Sequence, residues 1–256
     1  MATRYSPKVT TRGLIFLIDP VNPRCVGAGD TDGLDLVGGH KCTGASGQPD
    51  NGAHTPATSA WPSVTKNAYT NNSSNVFAFD GNDGINIDGD LGGSESEISV
   101  GGWFYKVNNQ TDYFFDFRND SDPSRGPWFL ANYGSSNINF WNQMEYNFGN
   151  TAEGSYSADD FPQDVWIHVV VTSGSSDSKI YLNGQQRAAY RTTAISTKKF
   201  GINARIGTRY TVGSGWSGGM GPVFLYNREL TAAEVKQNFL AHVGRYEAKL
   251  CPESSF

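Results

Sequence analysis

The end of the chain constrains the fold most, because it combines a buried strand with a well-capped helix. Residues 219–226 read Gly-Met-Gly-Pro-Val-Phe-Leu-Tyr, an apolar run typical of a buried strand. Thr231 and Glu234 fit the capping box, in which each side chain covers an orphan backbone N–H of the first helical turn. Leu230 and Val235 occupy the two positions of a hydrophobic staple. The sequence therefore predicts a helix that begins just after this strand.

The same segment also predicts which face of the helix is buried and where the helix ends. Val235, Phe239 and Val243 recur at i, i+4 and i+8, so one apolar stripe faces inward. Gly244 is suited to the left-handed position that follows a helix, and the helix is predicted to stop near Gly244-Arg245-Tyr246. Almost nothing earlier in the chain has a helical pattern, so we expect one short helix closing a β protein.

Short apolar or alternating segments fill the rest of the chain, a pattern typical of strands. In residues 165–172, valine and isoleucine alternate with Trp166, His168 and Thr172, so each set lines one face of a strand. The segment 179–182 runs into Asn183-Gly184, a strong hairpin signal. Further strands are predicted at 13–18, 76–79, 85–87, 98–105, 113–117, 128–131, 138–141, 205–208 and 223–226. So many short strands favour a sandwich or a barrel.

Length and charge restrict the domain organisation and the partners. The 256 residues suit a single domain over 13–246, with tails at 1–12 and 247–256. Residues 20–75 are rich in Gly, Pro, Ser, Thr and Asn, which predicts a long functional loop or structure that periodicity does not reveal. A net charge of −5 argues against a nucleic-acid groove, and no 18-residue apolar run is available to span a membrane. The N-terminus lacks the apolar core of a signal peptide.

The cysteines and His168 are interpreted as structural residues. Cys25, Cys42 and Cys251 do not form a disulfide framework; Cys25 and Cys42 either pair within the loop or remain free thiols, and free thiols are the simpler interpretation. His168 lies on a predicted core strand, where a hydrogen-bonded structural role is expected.

Six segments resemble, in order, the signatures of laminin-G-like, concanavalin A-like lectin/glucanase domains. They are GLIFLIDPVNP (13–23), FDGNDGI (79–85), ISVGGWF (98–104), WIHVVVT (166–172), KIYLNG (179–184) and GPVFLYNRELT (221–231). The last segment, with Asn238-Phe239 and Gly244-Arg245-Tyr246, resembles the version found in tailed-phage virion proteins. The resemblance covers residues 13–246 and implies an all-β jelly-roll sandwich of two antiparallel sheets with one short C-terminal helix.

Some relatives on this fold are glycoside hydrolases that share a Glu-x-Asp-x-x-Glu motif, which this sequence lacks. The nearest acidic cluster, Glu95-Ser96-Glu97, is interpreted as a solvated turn. Asp112 and Asp116 are expected to share one face of a strand about 13 Å apart. That separation is too large for a glycosidase pair, which needs roughly 5–10 Å. Glu145 could meet an acid from another strand.

The resemblance also suggests one Ca²⁺ at the rim of the sandwich, although no cofactor is required. Hard oxygen ligands of the right type are offered by Asp80, Asn82, Asp83, Asp88 and Asp90. Tight turns need the same residue types, and we favour that interpretation.

Carbohydrate binding is the sharper hypothesis, because aromatic residues and amides are interspersed between residues 105 and 166. Sugar sites combine an aromatic stacking face with a few fixed polar groups. The candidate binding residues are Trp128, Tyr133, Trp141, Tyr146 and Trp216. The alternative is that these aromatic residues fill the sandwich core.

Two functional classes follow. The first is a non-enzymatic virion structural or adhesion protein, such as a capsid decoration, fibre or tail component, whose lectin-like domain binds host-surface glycans. It would contact other virion proteins, form a homo-oligomer in the assembly, and bind neither nucleic acid nor membrane. The alternative is a carbohydrate-active enzyme, either a glycoside hydrolase or a polysaccharide lyase. The absent hydrolase motif and the closing segment favour the first class.

Overall fold

A computed structural model describes most of the chain. It covers residues 8–26, 32–44, 62–66, 69, 74–91, 94–95, 97–108, 112–116, 126–131, 138–143, 152–155, 162–174, 177–191, 198–199, 204–208 and 215–246. No helix within these ranges combines the length and the apolar character that crossing a bilayer requires.

The described residues form strands almost throughout, followed by one helix. In chain order the elements are β1 (Leu14–Ile18), β2 (Asp32–Leu34), β3 (Lys41–Gly44), β4 (Ser63–Lys66), β5 (Asn75–Asp80), β6 (Ile85–Ile87), β7 (Ser94–Glu95), β8 (Ile98–Lys106), β9 (Asp112–Asp116), β10 (Gly126–Ala131), β11 (Ile138–Gln143), β12 (Ala152–Ser155), β13 (Trp166–Ser173), β14 (Asp177–Leu182), β15 (Gln185–Arg191), β16 (Lys198–Lys199), β17 (Arg205–Ile206), β18 (Ser217–Tyr226) and α1 (Ala232–Tyr246).

Two eight-stranded antiparallel sheets form the two layers of the fold. Sheet A has the order β15-β14-β13-β8-β18-β5-β4, with β1 also paired to β18. Sheet B has the order β12-β11-β10-β9-β17-β6-β3-β2, and β7 pairs with β16 in a small separate sheet. Consecutive strands such as β5 and β6 lie in different sheets, so the chain crosses repeatedly between the layers. The predicted all-β sandwich of two antiparallel sheets with one C-terminal helix is confirmed.

The main core lies between the two sheets. Val100 and Phe104 of β8 and Val169 of β13 belong to the same buried cluster as Phe115 of β9 and Ile206 of β17. The side chains of β13 therefore alternate as predicted. Val169 faces the core between the sheets, and Trp166 and His168 face the opposite side of sheet A. The hairpin signal is also confirmed, since Asn183 and Gly184 join β14 to β15 with φ values of 49° and 77°.

Helix α1 covers the outer face of sheet A. The predicted capping box is present, because the Thr231 N–H donates to Glu234 Oε2 at 2.9 Å and the Glu234 N–H donates to Thr231 Oγ1 at 3.3 Å. Leu230 and Val235 are buried together against β13 and β18, as the hydrophobic staple predicts. Both faces of the centre of sheet A are consequently buried.

The helix ends within the predicted stretch 244–246, but Gly244 lies inside the helix and does not take the left-handed position. The helix continues through Gly244 to Tyr246, whose ring is buried and lies 4.8 Å from the Trp103 ring and 4.5 Å from the Trp166 ring. Packing of this last aromatic side chain against the sheet extends the helix past the glycine that sequence reasoning used as a stop signal.

His168 is buried under the helix, but its expected hydrogen bonds are absent. Neither ring nitrogen has a hydrogen-bond partner among the described residues. The ring instead lies between Trp103 (5.2 Å), Phe224 (5.9 Å) and Phe239 (5.8 Å). His168 therefore fills space as a neutral ring, and burial lowers its pKa well below the ordinary value.

A buried polar relay fastens the first residues of the domain to the helix. The Thr10 N–H donates to Asn238 Oδ1 at 2.8 Å, and the Tyr226 hydroxyl donates to the Thr10 carbonyl at 2.8 Å. Asn238 Nδ2 closes the relay by donating to the Tyr226 oxygen at 2.9 Å. This relay joins residues more than 200 positions apart along the chain.

The region 20–75, predicted as a long loop, contains the three short strands β2, β3 and β4. Buried Asp35 organises its first part, because the carboxylate accepts from the backbone N–H groups of Leu17, Val37 and Gly38 and lies 3.0 Å from His40 Nδ1. Cys25 and Cys42 are buried free thiols, as the simpler interpretation predicted.

Asn238→Ala is predicted to destabilise the fold by about 2–4 kcal/mol, because it leaves a cavity, removes the acceptor of the buried Thr10 N–H and removes one of the two hydrogen bonds of the Tyr226 hydroxyl. Urea unfolding followed by tryptophan fluorescence measures the change. The matched control on the exposed helix face, Lys236→Ala, should change the free energy of unfolding by less than about 0.5 kcal/mol. Equal effects of the two variants would contradict the role of the relay.

Acidification is predicted to destabilise the helix–sheet interface. Burial, followed by the charge of Arg245, lowers the pKa of His242 to about 4, whereas Asp19 acts in the opposite direction. The unfolded chain takes up this proton near pH 6.5, so the stabilising contribution is complete above that pH and lost as the pH falls towards 4. Unfolding free energies between pH 7.5 and 4 should therefore fall less steeply for His242→Gln than for wild type. Gln237→Ala should retain the wild-type slope, and an unchanged slope in His242→Gln would contradict the prediction.

Candidate functional site

The strand register of sheet B aligns polar and aromatic residues across five neighbouring strands. Asn86 of β6 pairs with Arg205 of β17, and Arg205 pairs with Asp116 of β9. Asp116 pairs with Trp128 of β10, which in turn pairs with Trp141 of β11. Directly paired residues project from the same face of a sheet. These five positions therefore form one line of the strand register, here named the polar row; the side chains of Trp128 and Trp141 lie outside the described part of the structure.

Asn86, Arg205 and Asp116, the members of the polar row whose side chains are described, lie on the face of sheet B that points away from the core. The adjacent register line contains Ile85, Ile206 and Phe115, which are all fully buried in the cluster between the sheets. Because side chains alternate along a strand, the neighbouring positions project to the opposite side. On sheet A, α1 covers the centre of the outer face.

The centre of the polar row contains two buried charges. Asp116 is 2% exposed and Arg205 is 7% exposed, although neither belongs to the apolar core. Buried charges are stable only when they are compensated, and opposite charges paired directly across strands attract each other. This arrangement provides fixed hydrogen-bonding groups at the level of the sheet.

Polar contacts continue from the row towards the edge of sheet B. Asn86 Nδ2 donates to Asp88 Oδ1 at 3.0 Å, and the Thr43 hydroxyl lies 3.5 Å from the same oxygen. At the next strands, Lys41 Nζ lies 3.0 Å from Asp32 Oδ2. The face thus offers carboxylate, amide and hydroxyl groups over several strands.

The structure separates the predicted aromatic candidates into three groups. Trp128 and Trp141 are at paired positions of the polar row. Trp216 is fully buried in the core, with its ring 4.7 Å from the Phe114 ring and 6.1 Å from the Phe104 ring, so it is not available as a surface platform. Tyr133 and Tyr146 lie outside the described residues.

Sequence reasoning missed Asn86, Arg205 and Asp116 as site residues. Asn86 carried a usable signal, since it is a polar residue between two isoleucines on a short strand and must face away from their side. The alignment of Arg205 with Asp116 had no such signal, because β17 and β9 are distant in sequence and are joined only by long-range pairing.

The predicted Ca²⁺ ligands serve mainly as turn residues. Asp83 accepts a hydrogen bond from the Asp80 N–H at 3.1 Å, and Asp80 accepts from the Asn82 N–H at 2.8 Å. Asp88 Oδ1 accepts a hydrogen bond from Asn86 Nδ2, and the Asp90 backbone carbonyl lies 3.3 Å from His40 Nε2. Within the described ranges, no group of three or more His, Cys, Asp or Glu side chains is arranged to hold a metal ion.

The strand that carries Asp112 and Asp116 is irregular. A register shift within β9 pairs Asp116 with Trp128 but Asp112 with Ala131, three positions further along β10. The side chain of Asp112 lies outside the described part of the structure. Asp88 lies on the same face as Asp116. It is two strands away and two residues further along β6, so the two backbones are about 12 Å apart. Glu145 is outside the described residues.

Comparison with known proteins agrees with this architecture. The sequence profile of a family described as "Concanavalin A-like lectin/glucanases superfamily" (Laminin_G_3) matches residues 79–236, more than half of the chain. No curated protein matches the chain.

Solved structures share the fold at low sequence identity. Domain 4 of AbnA, a GH43 extracellular arabinanase from Geobacillus stearothermophilus solved with arabinotriose, is 18% identical with a TM-score of 0.59, over 89% of this chain and 98% of that domain. The ligand-binding domain of botulinum neurotoxin serotype D with N-acetylneuraminic acid is 13% identical (TM-score 0.57), over 90% of this chain and 51% of the toxin domain. Trypanosoma rangeli sialidase with sialic acid is 14% identical (TM-score 0.57), over 91% of this chain and only 34% of the sialidase.

Asp83→Asn is predicted to stabilise the protein at neutral pH. Burial, together with the nearby Asp80 charge, raises the pKa of Asp83 to about 6, although its bond to the Asp80 N–H opposes the shift. Ionisation of the folded protein therefore costs stability above pH 6, and this cost disappears as the pH falls towards 4. The variant should melt roughly 2–4 °C above wild type at pH 7.5 and close to it at pH 4.

The control for this measurement is Asp164→Asn, which changes an exposed acid and should leave the melting temperature unchanged at both pH values. A lower melting temperature of Asp83→Asn at pH 7.5 would contradict the assigned pKa shift.

Proposed function

The chain belongs to the concanavalin A-like lectin/glucanase superfamily, and we propose that it is a non-enzymatic, lectin-like protein that binds carbohydrate on the polar row. The observation that carries this proposal is the register that aligns Trp128 and Trp141 with Asp116, Arg205 and Asn86. Sugar sites need both components of this line, an aromatic surface for the C–H face of a ring and fixed polar groups for its hydroxyls.

The dimensions of the row suit an oligosaccharide. Four strand spacings separate Asn86 from Trp141, which corresponds to about 19 Å across the sheet. A ligand lying across the strands would meet the two tryptophan positions at one end and the buried charges at the centre. The regular backbone beneath holds these groups at fixed spacing, which lowers the entropic cost of binding.

The charges on this face support binding without catalysis. A glycosidase needs two carboxyls on opposite sides of the scissile bond, roughly 5–10 Å apart. Asp116 is the described carboxylate at the centre of the row, where it is paired in register with Arg205. The other described carboxylate close to the row on this face belongs to Asp88, whose backbone lies about 12 Å from that of Asp116.

Two solved relatives support the carbohydrate class by analogy. The AbnA domain was solved with arabinotriose and the neurotoxin domain with N-acetylneuraminic acid. Both share the fold of this chain, and each holds a saccharide of a different charge. The proposal extends the common class, carbohydrate, to the polar row of this protein.

The biological setting that we propose is a phage virion, where the protein acts as a capsid decoration, fibre or tail component. The support is the closing segment 221–231 with Gly244-Arg245-Tyr246, which resembles tailed-phage virion proteins. In that setting the partners are other virion proteins, further copies of the chain and a host-surface glycan. The proposal requires no cofactor.

Trp128→Ala and Trp141→Ala are each predicted to weaken glycan binding roughly tenfold, because each removes a stacking surface worth about 1.4 kcal/mol. A glycan array identifies the ligand, and isothermal titration calorimetry measures the change in Kd. Tyr105→Leu, on the outer face of sheet A, is the matched aromatic control and should bind like wild type. Loss of binding in the control together with retention in both tryptophan variants would contradict the assigned face.

The enzymatic alternative is tested with the same glycans by assays for reducing-sugar release and for unsaturated lyase products. We expect neither product from the wild-type protein. Polysaccharide cleavage that is abolished by Glu145→Gln or by Asp116→Asn would overturn the non-enzymatic assignment. Co-purification of the chain with intact virus particles tests the virion setting separately, and its absence from purified particles would contradict that setting.

A further inference from the structure

Two histidines are buried where helix α1 packs on sheet A. His168 of β13 is 0% exposed, and neither of its ring nitrogens has a hydrogen-bond partner among the described residues. His242 of α1 is 6% exposed, and its Nδ1 likewise has no partner in the described part of the chain. Phe239, about one helical turn before His242, lies 5.8 Å from the His168 ring. The two histidines, here named the histidine pair, therefore share one interface.

The surroundings of His168 are aromatic and favour its neutral form. The ring lies 5.2 Å from the Trp103 ring and 5.9 Å from the Phe224 ring. The Trp103 ring is itself stacked on Tyr246, the last residue of α1. An imidazolium in this layer would be buried without a described hydrogen-bond acceptor, which is strongly unfavourable. Docking of the helix therefore opposes protonation of His168.

The acids described on or against α1 are already paired with cations. The ion pairs are Asp19–Arg245 at 2.7 Å, Glu229–Lys179 at 2.6 Å and Glu234–Arg228 at 2.6 Å. Strand β15, which also packs against the helix, carries a further cation, Arg187. The buried hydroxyls of Tyr226 and Tyr246 stay neutral in acid, because burial raises the pKa of both groups. Within the described interface, a protonated histidine would thus add a positive charge without a carboxylate of its own.

The docked helix lowers the pKa of both histidines. Burial lowers the pKa of His168 well below its ordinary value, and a charge on His242 lowers it further. Burial and then the charge of Arg245 lower the pKa of His242 to about 4, against the opposing effect of Asp19. Both rings reach water when the helix separates from the sheet, and each regains a pKa near 6.5. The separated form therefore binds up to two more protons between about pH 6.5 and pH 4, so acid favours separation.

We propose that the histidine pair makes α1 an acid-releasable element, which separates from sheet A as the pH falls from 7.5 towards 5.5 while the sandwich stays folded. The main core lies on the other side of sheet A and contains neither histidine. Separation uncovers the aromatic outer face that includes Trp103 and Trp166. It also frees the first described residues, because the Thr10 N–H is bonded to Asn238 of the same helix. This inference is independent of carbohydrate binding on the polar row.

Hydrogen–deuterium exchange of the full chain at pH 7.5 and 5.5, corrected for the intrinsic effect of pH on exchange, tests the proposal. Carboxyl groups of ordinary pKa are still ionised at pH 5.5, so the histidines dominate the change. We expect the opening constant of residues 232–246 to rise about a hundredfold, or about tenfold for each histidine. Protection of α1 should remain roughly tenfold or more below that of β9 and β17 at both pH values. Equal protection of α1 and these sheet B strands would show global unfolding and overturn the proposal.

Variants of the histidine pair assign the effect to these two rings. The double variant His168→Phe/His242→Gln has no titrating ring, so its opening constant should change by less than about threefold between the two pH values. His242→Gln alone should retain about a tenfold change. The control Lys236→Ala removes a charge from the exposed side of the same helix and should retain the full hundredfold change, to within about threefold.

A hundredfold change that persists in the double variant would overturn the role of the histidine pair. Circular dichroism establishes whether the double variant folds. If it does not, His242→Gln decides alone, because about a tenfold change supports the proposal and an undiminished change of about a hundredfold contradicts it.

Discussion

The packing of helix α1 on sheet A is the constraint on which the rest of the structure depends. A two-layer sandwich has two outer faces, and here the helix buries the centre of one of them through Val235, Phe239 and Tyr246. The relay through Asn238 fastens the first described residues to the same helix. The outer face of the opposite sheet carries the polar row, and the strand register determines which residues that face presents.

Local sequence signals predicted the elements that depend only on residues close together in the chain. The capping box, the staple, the Asn183-Gly184 hairpin and the alternation of β13 all have the predicted geometry, because each depends on residues a few positions apart. The left-handed cap expected at Gly244 is absent because the burial of Tyr246 outweighs the conformational preference of the glycine. The strands of the region 20–75 were missed because they are three or four residues long and pair with distant segments.

The candidate site was only partly predictable for the same reason. Trp128 and Trp141 could be nominated from their residue type, but their direct pairing follows from the register of β10 and β11. Asp116 and Arg205 are 89 positions apart in sequence, and no local pattern indicates that they stand opposite each other. Conversely, Trp216 looked like a loop residue, yet it completes the aromatic core with Phe104 and Phe114. Composition suggested the class of ligand that we propose, whereas the place that we propose for it depends on long-range strand pairing.

The central claim is that the outer face of sheet B binds carbohydrate, and mapping a bound ligand tests it most directly. A crystal structure, or hydrogen–deuterium exchange, of the protein with the tightest-binding oligosaccharide from a glycan array would locate the contact. The account predicts density or protection on β9, β10, β11 and β17, centred on Asp116 and Trp128. A saccharide bound instead on the helix side of sheet A, or protection confined to strands outside sheet B, would contradict it.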